Sequence, residues 1–140
     1  MAIQSITYVD KIIKINEKII NIRDNFNQLS LKLIIREEEL TKYYIRTLKL
    51  SYSLLLNEVK YEKDKVSSLT PPTHYKGKQI ELLDLFVKLY VSTSTACNSV
   101  NEDMVFIDVS YLRQGIQEQQ TCVEEINNIT DELIKDLTNV

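Results

Sequence analysis

Between Ser5 and Leu69 the chain contains neither glycine nor proline. Over all 140 residues there are two of each, and both prolines sit side by side at Pro71 and Pro72. Strands reverse often, and tight turns draw on Gly for positive φ and on Pro for a fixed φ. So little of either argues against all-β and α/β folds. An apolar content of 44% beside 26% charged residues argues equally against disorder. The expectation is an all-α chain, and at this length one domain spanning 1–140, able to bury about two-thirds of its unfolded surface.

Apolar spacing divides the chain into helices. Tyr8, Ile12, Ile15, Ile19, Ile22, Phe26, Leu29 and Leu33 recur in steps of three and four, which places them on one helical face. A second set, Ile6, Val9, Ile13, Ile20 and Leu31, lies roughly 140° away, so the first helix should touch more than one neighbour. The phase changes near Ile35, and Glu37, Glu38 and Glu39 suit the first turn of a new helix, where the macrodipole favours acids. Its seam is Ile45, Leu48, Tyr52, Leu55, Val59, Val66 and Leu69, with Glu62 the one polar member.

Pro71-Pro72 is the one strong break. Thr70 suits an N-cap there, with Pro71 at the first position of a third helix. That helix carries Ile80, Leu82, Leu83, Leu85, Phe86, Val87, Leu89 and Tyr90, a dense patch whose length favours a buried helix over a strand. Asn98 to Asp103 reads as a turn and an acidic helix start. The fourth helix repeats Val109, Leu112, Ile116, Gln119, Val123, Ile126, Thr130, Leu133 and Leu137, with Gly115 inside it. Helices at about 5–35, 38–68, 72–97 and 103–138 with short connections pack most simply as an antiparallel up-down-up-down four-helix bundle.

The stretch Pro71-Pro72-Thr73-His74-Tyr75, followed by Ile80, Leu83 and Phe86, resembles a junction in small helical-bundle domains of Gram-positive bacteria or their phages. In those domains, often lipoprotein-like, it opens a helix after a long helical hairpin. Their last helix carries spaced leucines and isoleucines, as Leu112 to Leu137 do. The resemblance implies the same bundle fold and brings no activity with it. Abundant Ile, Lys and Asn beside four arginines fit an AT-rich bacterial or phage genome.

Catalytic and cofactor chemistry finds little material. His74 is the only histidine, too few for a multi-histidine zinc site or the Glu-x-x-His pairs of a di-iron bundle, so no metal or cofactor is expected. Beside two prolines it reads as a solvated junction residue. Cys97 lies about 34 Å along the third helix from His74, too far for a nucleophile pair. Cys122 could reach the level of His74 but reads as a small core filler. If the last hairpin turns near Asn101, Cys97 faces about residue 106, and Cys122 is ~24 Å further on, which precludes a bridge. Lys76-Gly77-Lys78 lacks the preceding glycine and strand of a phosphate loop. No catalytic residue is assigned and no enzyme is expected.

Charge narrows the partners. The formal charge is −3 with acids and bases interspersed, unlike the concentrated basic face of a nucleic-acid binder. No segment is a signal peptide or approaches the ~18–20 apolar residues of a membrane span. As written the chain is expected to stay in the cytoplasm; a leader already removed would place it outside the cell or on its surface.

The tyrosines are more informative, eight against no tryptophan. On the second helix Tyr52 and Tyr44 fall with the seam, whereas Tyr43, Leu50, Leu54 and Tyr61 form a second stripe roughly 150° away. If that helix is central, the stripe is core. If it is peripheral, the stripe is an apolar ridge of the composition favoured at protein interfaces. The expectation is a non-enzymatic bundle that binds another protein, or its own copy, through these four residues; immunity proteins, secretion partners and phage inhibitors use such bundles. The alternative is a small apolar ligand held in the core between helices 1, 3 and 4.

Overall fold

The computed structural model describes the backbone of residues 2–35 and 41–138 and the side chains of 3–31 and 41–138. Among these, four helices follow one another: α1 Ala2–Ile35, α2 Lys42–Ser68, α3 Lys76–Asn98 and α4 Val109–Thr138. A 3₁₀ turn, Thr73–Tyr75, precedes α3, and a short antiparallel ribbon joins α3 to α4, β1 Val100–Asn101 against β2 Phe106–Ile107. Of the described residues 88% are helical, and they form an all-α four-helix bundle. α1 packs on α2 and α4, and α3 packs on α2 and α4, closing a four-sided ring. Tyr75 meets Asp136, Lys78 meets Glu132 and Thr93 meets Gln119, so α3 and α4 run antiparallel. No helix among the described residues is long and apolar enough to cross a membrane.

The heptad seams face the core. Tyr8, Ile12, Ile15, Ile19, Ile22 and Phe26 of α1 are buried, with Leu29 half-buried, while Leu33 lies outside the described side chains. From α2 come Ile45, Leu48, Tyr52, Leu55, Val59, Glu62 and Val66. Phe26 and Tyr52 stack nearly parallel, 4.2 Å between centroids, and the Tyr52 hydroxyl lies 2.7 Å from Ser30 Oγ. At the other end Tyr8 stacks on Tyr75 and donates to Gln79 Oε1, while Gln79 Nε2 donates to Val66 O at 2.7 Å. Each buried polar side chain in these two clusters thus pins two helices together, because an unpaired one would cost about 1–3 kcal/mol.

Several expectations need correction. The second apolar set of α1 is not uniformly covered: Val9 is buried, Ile13 and Ile20 are half-buried, and Ile6 and Leu31 are exposed. Two neighbours on adjacent sides of the ring cover only the arc between them. In α3, Ile80 and Val87 are exposed instead of buried. They lie roughly 140–160° around the helix from Leu82, on the side facing away from the bundle.

The helix starts also shift. α2 begins at Lys42 with Thr41 as its N-cap, whose Oγ1 accepts from Tyr44 N at 3.1 Å. No acid stands in that first turn; the predicted start at 38 and Glu37 to Glu39 lie outside the described residues. Thr70 does not cap α3, and Pro71 is not helical. A residue before proline is pushed out of the α region, so Pro72 denies Pro71 the conformation of a first helical turn. α4 starts at Val109, not 103, and Asp108 caps it by accepting from Tyr111 N at 3.1 Å. The ribbon uses the intervening residues, and Val105, φ 50°, takes the left-handed backbone that glycine usually supplies. At that start Val109 is on the surface.

The longer connection also changes the cysteine register. The Gly115 backbone lies against Ala96, so Cys97 sits level with about residue 114 instead of 106. Cys122 is then about 12 Å away along α4, half the predicted distance and still beyond the ~7 Å a disulfide spans. Both cysteines are buried free thiols.

Candidate functional site

α2 occupies one edge of the ring, held from inside and from both ends. Tyr52 is wholly buried at its middle. Near the N-terminal end, Lys49 Nζ donates to Cys97 O at 2.8 Å and Val100 O at 3.0 Å, at the C-terminus of α3 and the first strand. Cations suit that position, where the helix leaves unpaired carbonyls and a partial negative charge. Arg46 Nε donates to Glu102 Oε1 at 2.6 Å and ties the same turn to the ribbon loop. At the other end Val66 O accepts from Gln79.

With its inner face committed, α2 presents the opposite one to water. Tyr43 is 80% exposed, Leu50 60%, Leu54 57% and Tyr61 62%. All four fall within about 20° of the direction opposite Tyr52, at ~100° per residue. They make one ridge about 27 Å long. Two tyrosines and two leucines at these exposures present roughly 450 Å² of side chain. That is the size of the largest apolar patch on a typical monomer, a feature often functional. The flank is also short of free polar groups: Thr47 donates back to Tyr43 O and Ser51 to Thr47 O. Lys65 Nζ lies 4.5 Å from the centre of the Tyr61 ring and fixes one end of the ridge.

The residues weighed for chemistry are scattered. His74 is exposed, with Nε2 3.5 Å from Ser5 Oγ and its ring tilted against Tyr75. It borders a cleft of about 660 Å³ with Pro71, Pro72, Asp136 and Leu137. Asp136 accepts from the Tyr75 hydroxyl at 2.6 Å and thus serves the tyrosine. Cys122 lines a different cleft, between α3 and α4, with Val87, Lys88 and Val91. The structure does not bring Cys122 and His74 together. Burial raises the Cys97 thiol to about 11, against the opposing pull of Lys49, and burial also raises Cys122. Both stay protonated near neutrality and are poor nucleophiles. Among the described residues no three His, Cys, Asp or Glu are grouped to hold a metal ion.

One apolar stripe escaped the sequence reading. Ile80, Val87 and Val91 are all exposed on the outer side of α3. Their angular distance from Leu82 and Leu89 separates them from the core, but the density of apolar residues in that segment hid it. The stripe is interrupted by Asp84, which pairs with Lys88 at 3.2 Å. The α2 ridge has no charge along its crest. Comparison of the chain with protein families, with characterised proteins and with solved structures gives no match in any of the three.

Proposed function

We propose that this chain is a non-enzymatic bundle that works by binding another polypeptide along the outer face of α2. One observation carries the reading: four large side chains stand in water in line, directly opposite a seam in which Tyr52, Ile45 and Val59 have no exposure. Covering each such side chain is favourable by about 1.5–3 kcal/mol, and a helix needing only to close its own bundle would place polar residues there. Tyrosine-rich, charge-poor crests are the composition of interface centres. Immunity, secretion-partner or phage-inhibitor roles, the uses of comparable bundles, all fit a docking face of this kind. The core-ligand reading gains no support, because Val9, Ile19, Leu82, Phe86, Leu89 and Ile126 fill the space between α1, α3 and α4 with side chains at most 1% exposed.

A photo-crosslinking amino acid at Leu54 tests the proposal in cells of the source organism. Covalent adducts to a polypeptide are expected from Leu54 and not from Lys14, which is on the outer face of α1 and paired with Asp10. They should vanish when Leu50→Glu is added to the Leu54 probe. Equal labelling from both positions, or none from Leu54, overturns the reading.

A further inference from the structure

We infer that the polypeptide covering the ridge is a second copy of this chain, its α2 laid antiparallel on the first across a two-fold axis level with Tyr52. The inference rests on reading the ridge as a docking face. When the two-fold stands across the helix, the interface must be complementary to itself turned end for end. Tyr43, Leu50, Leu54 and Tyr61 are spaced seven, four and seven residues apart, so the ridge reads Tyr-Leu-Leu-Tyr from either end. Its midpoint is residue 52. Leu50 and Leu54 lie about 3 Å to either side of that level, and Tyr43 and Tyr61 about 13.5 Å. Turned over, Leu50 meets the partner's Leu54, and Tyr43 meets the partner's Tyr61.

The helix dipoles favour the same arrangement. Antiparallel pairing opposes the two dipoles, whereas a parallel pairing aligns them, which is unfavourable. Arg46 is held by Glu102 of its own chain at the edge of the face. Area agrees as well. A stable interface buries about 800 Å² per partner. The crest supplies over half of that, and the exposed flanks at Arg46, Thr47, Asn57 and Glu58 supply a polar rim.

Light scattering coupled to size exclusion on the full chain, with a cross-linking pair, tests the inference. The expected mass is twice that of one chain, falling twofold in Leu50→Glu/Leu54→Glu with the circular dichroism spectrum unchanged. Tyr43→Cys mixed with Tyr61→Cys should oxidise to a cross-linked dimer of the two variants. Neither alone should do so, since equal positions on the two copies stand about 27 Å apart. This second readout does not depend on the glutamate variant folding. A single-chain mass at all concentrations overturns the pairing, and photo-adducts to a different protein at Leu54 would then leave the docking reading intact. Cross-linking of Tyr43→Cys with itself overturns the antiparallel arrangement. A dimer that survives the glutamates places the interface elsewhere and overturns it too.

Discussion

Gly115 lies where α3 and α4 come closest. A Cβ there would stand 2.7 Å from Ala96 N and 2.9 Å from both Ala96 Cβ and Ser92 O, so backbone would have to move. Alanine is the better helix former by about 1 kcal/mol, yet Gly115→Ala should destabilise the protein by about 1–3 kcal/mol, because the clash outweighs propensity. Gly77, in the first turn of α3, has nothing within 4 Å of such a Cβ and no positive φ. There propensity acts unopposed, and Gly77→Ala should stabilise by about 0.5–1 kcal/mol. Urea midpoints of the two variants should move in opposite directions; movement the same way would contradict the close approach at Gly115. The buried phenols make a second residue-scale prediction. Burial raises Tyr8 to about 12, and burial with the Asp136 hydrogen bond raises Tyr75 to about 12, from an ordinary 10.0. Between those values the unfolded chain releases protons that the folded one keeps, so stability falls as pH rises. It is fully present below pH 10 and lost toward 12. The thermal midpoint should drop steeply in that window, and Tyr8→Phe with Tyr75→Phe should make the drop shallower, the remainder coming from Tyr52, which burial also pushes up; an equally steep drop in the double variant would remove Tyr8 and Tyr75 as contributors.

At the scale of elements, the legible features are those governed by period. The seams of α1, α2 and α4 follow from apolar steps of three and four, because each helix in a four-sided ring buries one arc and no more. The ridge was legible for the same reason: Tyr43, Leu50, Leu54 and Tyr61 share a direction that the seam does not. Whether that direction met water was not legible, since it depends on which helices neighbour α2. Its neighbours, α1 and α3, both lie on its inner side. Boundaries were less legible, because local chemistry competes there. Pro72 bars Pro71 from the helix that its fixed φ otherwise suits. The ribbon before α4 lacks the Asn-Gly or Asp-Gly signal of a two-residue hairpin, and its left-handed position is filled by Val105. The N–H of Asp108 donates to Ser99 O at 2.8 Å, a pairing that holds the ribbon together and delays the helix. Acidic residues at Glu102 and Asp103 looked like a helix start, yet Glu102 is engaged by Arg46 from across the bundle.

The molecule as a whole is a ring of four amphipathic helices whose outer faces are not equivalent. Those of α1 and α3 carry short-range ion pairs, Lys14 with Asp10 and Lys88 with Asp84, whereas the crest of α2 carries none. That difference is what the proposed association rests on. Association has a thermodynamic signature that a monomer cannot imitate. If the folded species is a pair and the unfolded species a single chain, mass action ties the melting midpoint to total concentration. Each tenfold increase then favours the folded pair by about 1.4 kcal/mol. For two chains of this length melting together, that should raise the midpoint by about 2–4 °C. The wild-type chain should show this rise by circular dichroism over a hundredfold range of concentration. Leu50→Glu/Leu54→Glu should melt at one temperature throughout, because both side chains stand outside the core seam and their loss leaves the single bundle intact. A wild-type midpoint that does not move with concentration would mean that the bundle melts as a single chain, and that the ridge waits for something other than its own copy.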